Sequence, residues 1–119
     1  MPTKIVANRE EALRVGYEAT DWIEPISKED YSELMKNWSV EALERDGEVI
    51  GAVYRKDDEL HIAVLPKWKC KWFTRSLLRQ LFVGKRVVTR VTPGHDYMYS
   101  ILQRLGFKEL PSGMLVKEN

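Results

Sequence analysis

Hydrophobic positions recur with two different spacings in the first forty residues. A short β-branched segment at 3–7 predicts a first strand. Asn8 then stands where a helix N-cap is expected, and apolar residues follow at helical spacing. Pro25 separates this helix from a second, which Ser27 can cap. The apolar positions of the two helices are Ala12, Leu13, Val15, Ala19, Tyr31, Leu34, Met35 and Trp38.

The spacing drops to two in the middle of the chain, which predicts three antiparallel strands. Asp46-Gly47 is a strong hairpin signal between the first two of them. The segment 56–59 is polar and predicts a second turn. Residues 60–65 then alternate as in a strand, and Pro66 ends it.

The second half of the chain returns to alternating helices and strands. A helix closed by Gly84 precedes a β-branched strand at 86–92, which Pro93-Gly94 breaks. A last helix ends at Gly106, and short strands follow at 107–110 and 114–116. The apolar faces of the two helices hold Phe73, Leu77, Leu78, Leu81, Tyr97, Ile101, Leu102 and Leu105.

The predicted order is β-α-α-β-β-β-α-β-α-β-β over 119 residues. This indicates one α/β (α+β) domain, 1–119, with a mixed and mostly antiparallel sheet. The strand–helix–strand unit at 60–92 predicts two parallel strands joined by a right-handed crossover.

Charge is divided between the two halves of the chain. Residues 1–60 hold 8 Lys and Arg against 15 Asp and Glu, whereas residues 61–119 hold 11 against 3. The segment Lys67–Arg90 has eight cationic side chains and no acidic one. It predicts an anion-attracting surface that binds nucleic acid or protein, unless the two halves pack together and their charges meet. The eight are Lys67, Lys69, Lys71, Arg75, Arg79, Lys85, Arg86 and Arg90.

Several classes of function find no support in the sequence. No apolar run approaches the length of a membrane span, and the N-terminal residues lack the centre of a secretory signal. Cys70 is the only cysteine, so we expect no internal disulfide and a cytoplasmic protein. His61, Cys70 and His95 lack the spacing of a zinc site, so no metal is expected.

The order of elements resembles the GNAT (GCN5-related N-acetyltransferase) superfamily, and two motifs add to the likeness. Val64-Leu65-Pro66 is similar to the Val-x-Pro segment that ends the fourth strand of the family. The helix ending in Gly106-Phe107 is similar to the end of the family's last long helix. The resemblance implies an acetyl-CoA-dependent transfer of an acyl group to an amine.

The family grips the cofactor's pyrophosphate with an Arg/Gln-x-x-Gly-x-Gly/Ala loop at a helix start. In the corresponding loop of this chain, Trp72 occupies the position of the first glycine and Thr74 that of the second. Either Trp72 points away and the loop amides still serve, or the site is blocked. The resemblance assigns cofactor contacts to Val64, Leu65, Lys69, Cys70, Lys71, Trp72, Phe73 and Thr74.

The catalytic groups depart from the family as well. Leu102 stands where the family often has a tyrosine that protonates the leaving thiolate of CoA. Tyr99 is the candidate for that role in this chain. Glu59 and His61 share one strand face and are the candidate bases, although a turn residue and a half-buried histidine are the simpler interpretations. His95 either caps the last helix or contacts a ligand.

The sequence therefore supports two alternative functions. One is a divergent acyltransferase for an unidentified amine. The other is a non-catalytic GNAT-like module that binds protein or nucleic acid through Lys67–Arg90, similar to short phage proteins with altered cofactor loops. For a phage protein the compartment would be the host cytoplasm or the virion.

Overall fold

One twisted sheet with helices on both faces accounts for the described chain. The computed structural model describes residues 3–92 and 94–118. Its helices are α1 (Arg9–Ala19), α2 (Lys28–Leu34), α3 (Arg75–Leu81) and α4 (Met98–Arg104). Its strands are β1 (Lys4–Val6), β2 (Ser39–Arg45), β3 (Glu48–Lys56), β4 (Glu59–Val64), β5 (Arg86–Thr89), β6 (Lys108–Glu109) and β7 (Leu115–Glu118).

The sheet has the strand order β1-β2-β3-β4-β5-β7-β6. Every neighbouring pair runs antiparallel except β4 and β5, which are parallel. The mixed, mostly antiparallel α+β fold predicted from the sequence is confirmed. The predicted parallel pair of strands before and after α3 is also confirmed.

Short polar signals in the sequence fix the local structure. Asp46 and Gly47 both have positive φ, 52° and 82°, as a tight hairpin turn requires. The predicted caps are also confirmed. The side chain of Asn8 accepts from the Glu11 N–H at 3.3 Å, and that of Ser27 accepts from the Asp30 N–H at 3.1 Å.

Several element boundaries differ from the predicted ones. α2 stops at Leu34 rather than near Trp38, because the following turn is held by Arg9, which donates to the Trp38 carbonyl at 2.6 Å. β4 begins at Glu59, which was expected in the turn. β5 ends at Thr89 rather than at residue 92, and Pro93 of the predicted break lies outside the described residues.

The two faces of the sheet bury different side chains. The face toward α3 and α4 packs large residues, among them Ile50, Trp72 and Leu115. The face toward α1 packs mainly alanines and two tyrosines. The small residues let α1 approach the sheet closely, and they are Ala12, Ala19, Ala42, Ala52 and Ala63.

Gly16 is the point of closest approach between α1 and the sheet. A Cβ atom at this position would overlap the hydroxyl of Tyr54 and lie 3.0 Å from the Cβ of Ala52. Neither neighbour has room to retreat, since Ala52 is fully buried and Tyr54 is 6% exposed.

We therefore expect Gly16→Ala to lower the free energy of unfolding by about 1–3 kcal/mol through overpacking. Urea unfolding measures the loss. The same substitution in a Tyr54→Phe background removes the overlapping oxygen and should cost less. An equal cost in both backgrounds would show that the overlap is not the cause.

Candidate functional site

The parallel strands β4 and β5 pair only at their beginnings and then separate. The register contains one residue pair, Glu59 with Val88, and the Val88 N–H donates to the Asp58 carbonyl at 2.8 Å. Beyond this point the edge of β4 faces a cleft rather than a neighbouring strand. Backbone groups along such an edge need partners from elsewhere.

Two side chains from the segment after β5 supply those partners. The Thr92 hydroxyl donates to the Ile62 carbonyl at 2.6 Å. The Val64 N–H donates to Nε2 of His95 at 3.0 Å, and the Val64 carbonyl lies 3.1 Å from the same nitrogen. His95 is 2% exposed, so its ring is part of the interior. A cavity of about 20 Å³ remains beside these groups.

Trp72 points into the core and away from the loop surface. It is 1% exposed, and its indole N–H donates to the Tyr97 hydroxyl at 2.8 Å. Burial raises the pKa of Tyr97, while the Trp72 hydrogen bond acts in the opposite direction. Of the two alternatives left open for Trp72, the structure has the one in which the indole turns away from the loop amides.

The loop between β4 and α3 presents amide groups that the fold does not use. The Lys71 N–H donates to the Trp68 carbonyl at 3.0 Å. Within residues 3–92 and 94–118, the N–H groups of Trp72, Phe73 and Thr74 have no acceptor. The Thr74 side chain caps α3 by accepting from the Leu77 N–H at 3.1 Å. Of these, Phe73 is half-buried and Thr74 is exposed, so their two amides are available to an anion, whereas Trp72 is 1% exposed.

A groove between α3 and α4 continues from this loop. Its volume is about 360 Å³, and it places Arg75 and Arg104 around an apolar floor. The remaining lining residues are Phe73, Thr74, Leu78, Ile101 and Leu105. Exposed guanidinium groups beside apolar side chains suit a ligand that combines phosphate with an apolar or aromatic part.

A second and larger cavity lies on the opposite face of the sheet, under α2. Its volume is about 430 Å³, within the range of small-molecule sites. Val91 and Thr92 from the segment after β5 line it, so it meets the cleft from the other side. The other lining residues are Thr20, Trp22, Tyr31, Leu34, Met35, Trp38, Tyr54, His61 and Arg90.

Two of the predicted catalytic residues meet at this cavity. Oε2 of Glu59 lies 2.8 Å from Nε2 of His61, and the His61 ring packs edge-on against Trp38 at a centroid distance of 5.4 Å. Glu59 is a strand residue that orients a histidine, not a turn residue. A carboxylate on Nε2 leaves Nδ1 as the nitrogen that can accept a proton.

The third predicted catalytic residue lies elsewhere. Tyr99 is 37% exposed on α4 and lines none of the cavities described above. Leu102 is buried in the core. The tyrosine beside the loop is Tyr97, which the spacing of apolar residues places only on the apolar face of the last helix. No local pattern marks it, because its partner Trp72 is 25 residues away.

The basic segment runs through the loop after β4, α3 and β5. Arg86 lies 3.6 Å from Asp58 and 3.9 Å from Glu118, and Lys69 donates to the Gly94 carbonyl at 2.5 Å. Some of the charges of the two halves therefore meet. In the described ranges no group of three potential metal ligands occurs, and no helix there is long and apolar enough to cross a membrane.

The comparisons with known proteins identify the fold. No protein-family model and no curated protein sequence matches the chain. Among solved structures, a GNAT superfamily phosphinothricin acetyltransferase (Pat) from Sinorhizobium meliloti, in complex with AcCoA, is similar with a TM-score of 0.69 and 17% identity. The match covers 99% of this chain and 89% of that chain.

Two further structures lead to the same conclusion. Ard1 from Thermoplasma volcanium has a TM-score of 0.67 at 15% identity, covering 99% of this chain and 98% of that chain. The PaiA N-acetyltransferase from Thermoplasma acidophilum, in complex with coenzyme A, has 0.63 at 16% identity, with both chains covered fully. The chain has the GNAT fold.

Two tyrosines in the wall of the large cavity make stability sensitive to alkaline pH. The hydroxyls of Tyr31 and Tyr54 are 2.5 Å apart, and burial raises the pKa of both. A folded-state pKa above the ordinary value near 10 stabilises the fold below about pH 10 and loses that contribution as the pH rises further.

We expect the free energy of unfolding to fall more steeply from pH 9 to pH 11 in the wild type than in a Tyr31→Phe/Tyr54→Phe variant. Urea titrations across that pH range measure the slopes. Tyr99→Phe, at an exposed position, is the control and should keep the wild-type slope. Identical slopes in all three proteins would contradict the expectation.

Proposed function

We propose that this protein is an acyl-CoA-dependent N-acyltransferase that works across the cleft between β4 and β5. The separation of the two strands after a single residue pair carries the proposal, because it leaves an opening in the sheet with the amide-bearing loop on one face and an open, mostly apolar cavity on the other. The fold supports it, and two similar structures hold AcCoA or coenzyme A.

The residues around the loop fit such a cofactor. The amides of Phe73 and Thr74 would hold its diphosphate, and Arg75 and Arg104 would face the remaining phosphate and the adenosine part. The bound thioester would supply an electrophilic carbonyl carbon. Of the six predicted loop residues, these assignments use Phe73 and Thr74, and they add the two arginines.

The edge of β4 fits the predicted cofactor contacts of Val64 and Leu65 less directly. The Leu65 N–H donates to the Ile50 carbonyl at 2.9 Å and so faces β3 rather than the cleft. The Val64 N–H faces the cleft but is bonded to His95. Of the two predicted strand contacts only Val64 can serve, and its amide becomes available when the imidazole turns aside.

His61, held by Glu59, would be the base for the acceptor amine. Glu59 accepts from the Nε2–H of His61, which fixes the ring and leaves Nδ1 as the nitrogen that would accept a proton. An ammonium group entering the cavity would lose its proton to this nitrogen and become a nucleophile. The walls around the amine would be mostly apolar.

Cofactor binding gives the first test. We expect calorimetry to show acetyl-CoA binding with a dissociation constant between about 1 μM and 1 mM. Arg104→Gln should weaken it, because a phosphate loses a charged hydrogen-bond donor. Arg14→Gln, an exposed change on α1, should not. Absence of binding at millimolar acetyl-CoA would remove the proposal and favour the non-catalytic alternative.

The base gives the second test. In an assay for acetylated amines by mass spectrometry, we expect His61→Gln to lower kcat by roughly 10²–10⁴-fold, the usual effect of losing a general base. Acetyl-CoA affinity should be unchanged, because His61 lies on the acceptor side. Glu59→Gln should lower kcat less, since the ring remains. Glu48→Gln, away from the cavity, is the control, and a full-rate His61→Gln would exclude the assigned base.

A further inference from the structure

The large cavity under α2 has an aromatic wall with no acidic lining. Two tryptophans, Trp22 and Trp38, and two tyrosines, Tyr31 and Tyr54, contribute the aromatic side chains. Leu34, Met35 and Val91 extend the apolar surface, whereas no Asp or Glu from the described residues lines the cavity. Glu59 reaches it only through His61. A polyamine carries several ammonium groups, and this lining offers none of them a carboxylate partner.

Arg90 is the permanently charged group of that lining. One terminal nitrogen donates to the Ser112 carbonyl at 3.1 Å, which anchors the side chain at the turn between β6 and β7. Its other N–H groups have no acceptor within 3–92 and 94–118. A guanidinium held by one bond and open at its remaining donors suits a carboxylate.

The chemistry of the cavity also defines what its occupant must carry. Its body must be apolar or aromatic to cover the tryptophans and tyrosines. It must carry an anionic group for Arg90 and, to react, an amine for His61. All three groups occur together in an α-amino acid with an aromatic side chain.

We propose that the acceptor is an aromatic α-amino acid or a close analogue, bound by its ring under α2 and by its carboxylate at Arg90. The amine part of this inference rests on the proposed function. In the reaction the amine loses a proton and forms the N–C bond, the thioester C–S bond breaks, and the departing thiol takes up the proton. The products are an N-acyl amino acid and a free thiol.

The binding part is tested without the cofactor. Quenching of tryptophan fluorescence, with Trp22 and Trp38 in the wall, follows titration with phenylalanine, 3-phenylpropionate, 2-phenylethylamine and spermidine. We expect the two carboxylates to bind roughly tenfold or more tightly than 2-phenylethylamine, the gain of one charge-assisted contact. Spermidine should not bind.

Two variants test whether Arg90 contacts the carboxylate of the probe. Arg90→Gln should remove the advantage of the carboxylates and leave 2-phenylethylamine unchanged. Arg79→Gln makes the same charge change at an exposed position of α3 and should keep the wild-type order. Circular dichroism checks that both variants fold, and the order of the four probes on the wild-type protein decides the proposal by itself.

The outcomes separate this inference from the proposed function. Spermidine binding more tightly than phenylalanine, or no aromatic acid binding at millimolar concentration, would overturn the inference whatever acetyl-CoA does. Binding of phenylalanine without acetyl-CoA binding would support the carboxylate site and reject the acyltransferase. Binding of both, with N-acetylphenylalanine detected by mass spectrometry, would support the two together.

Discussion

The short pairing between β4 and β5 is the constraint on which the rest of the molecule depends. Because the strands share only Glu59 and Val88, the sheet is held on either side by antiparallel pairs but opens in the middle. The loop after β4, the segment after β5 and the cavity under α2 all border that opening. Its polar edge is satisfied by Thr92 and His95, so the opening costs few hydrogen bonds.

The sequence predicted the parts of the fold that local chemistry decides. Asp46-Gly47 fixed the hairpin, Asn8 and Ser27 fixed two helix starts, and the spacing of Glu59 and His61 on one strand placed them together. It did not predict β5 ending at Thr89, because the strand propensity of the next residues was overridden by a contact between Thr92 and Ile62.

The candidate site was predicted only in part, for a related reason. The His95 contact joins residues 31 positions apart, and the Trp72–Tyr97 contact joins residues 25 positions apart. Neither pair belongs to a periodic pattern in the sequence. The position of Trp72 in the loop motif does not show whether its indole is buried or blocks the cofactor site. Arg90 was counted among the cations of a basic segment, whereas its anchor at Ser112 gives it an individual position.

The alanine layer beneath α1 affects how the protein can diversify. Ala12, Ala52 and Ala63 are fully buried, so larger side chains there would lift the helix from the sheet. The opposite wall, from Trp22 to Trp38, rests on α2 and its flanking turns, with Ile23 and Leu34 largely in solvent. New ligand preferences can therefore evolve by substitution in this outer wall, while the inner wall stays invariant in size.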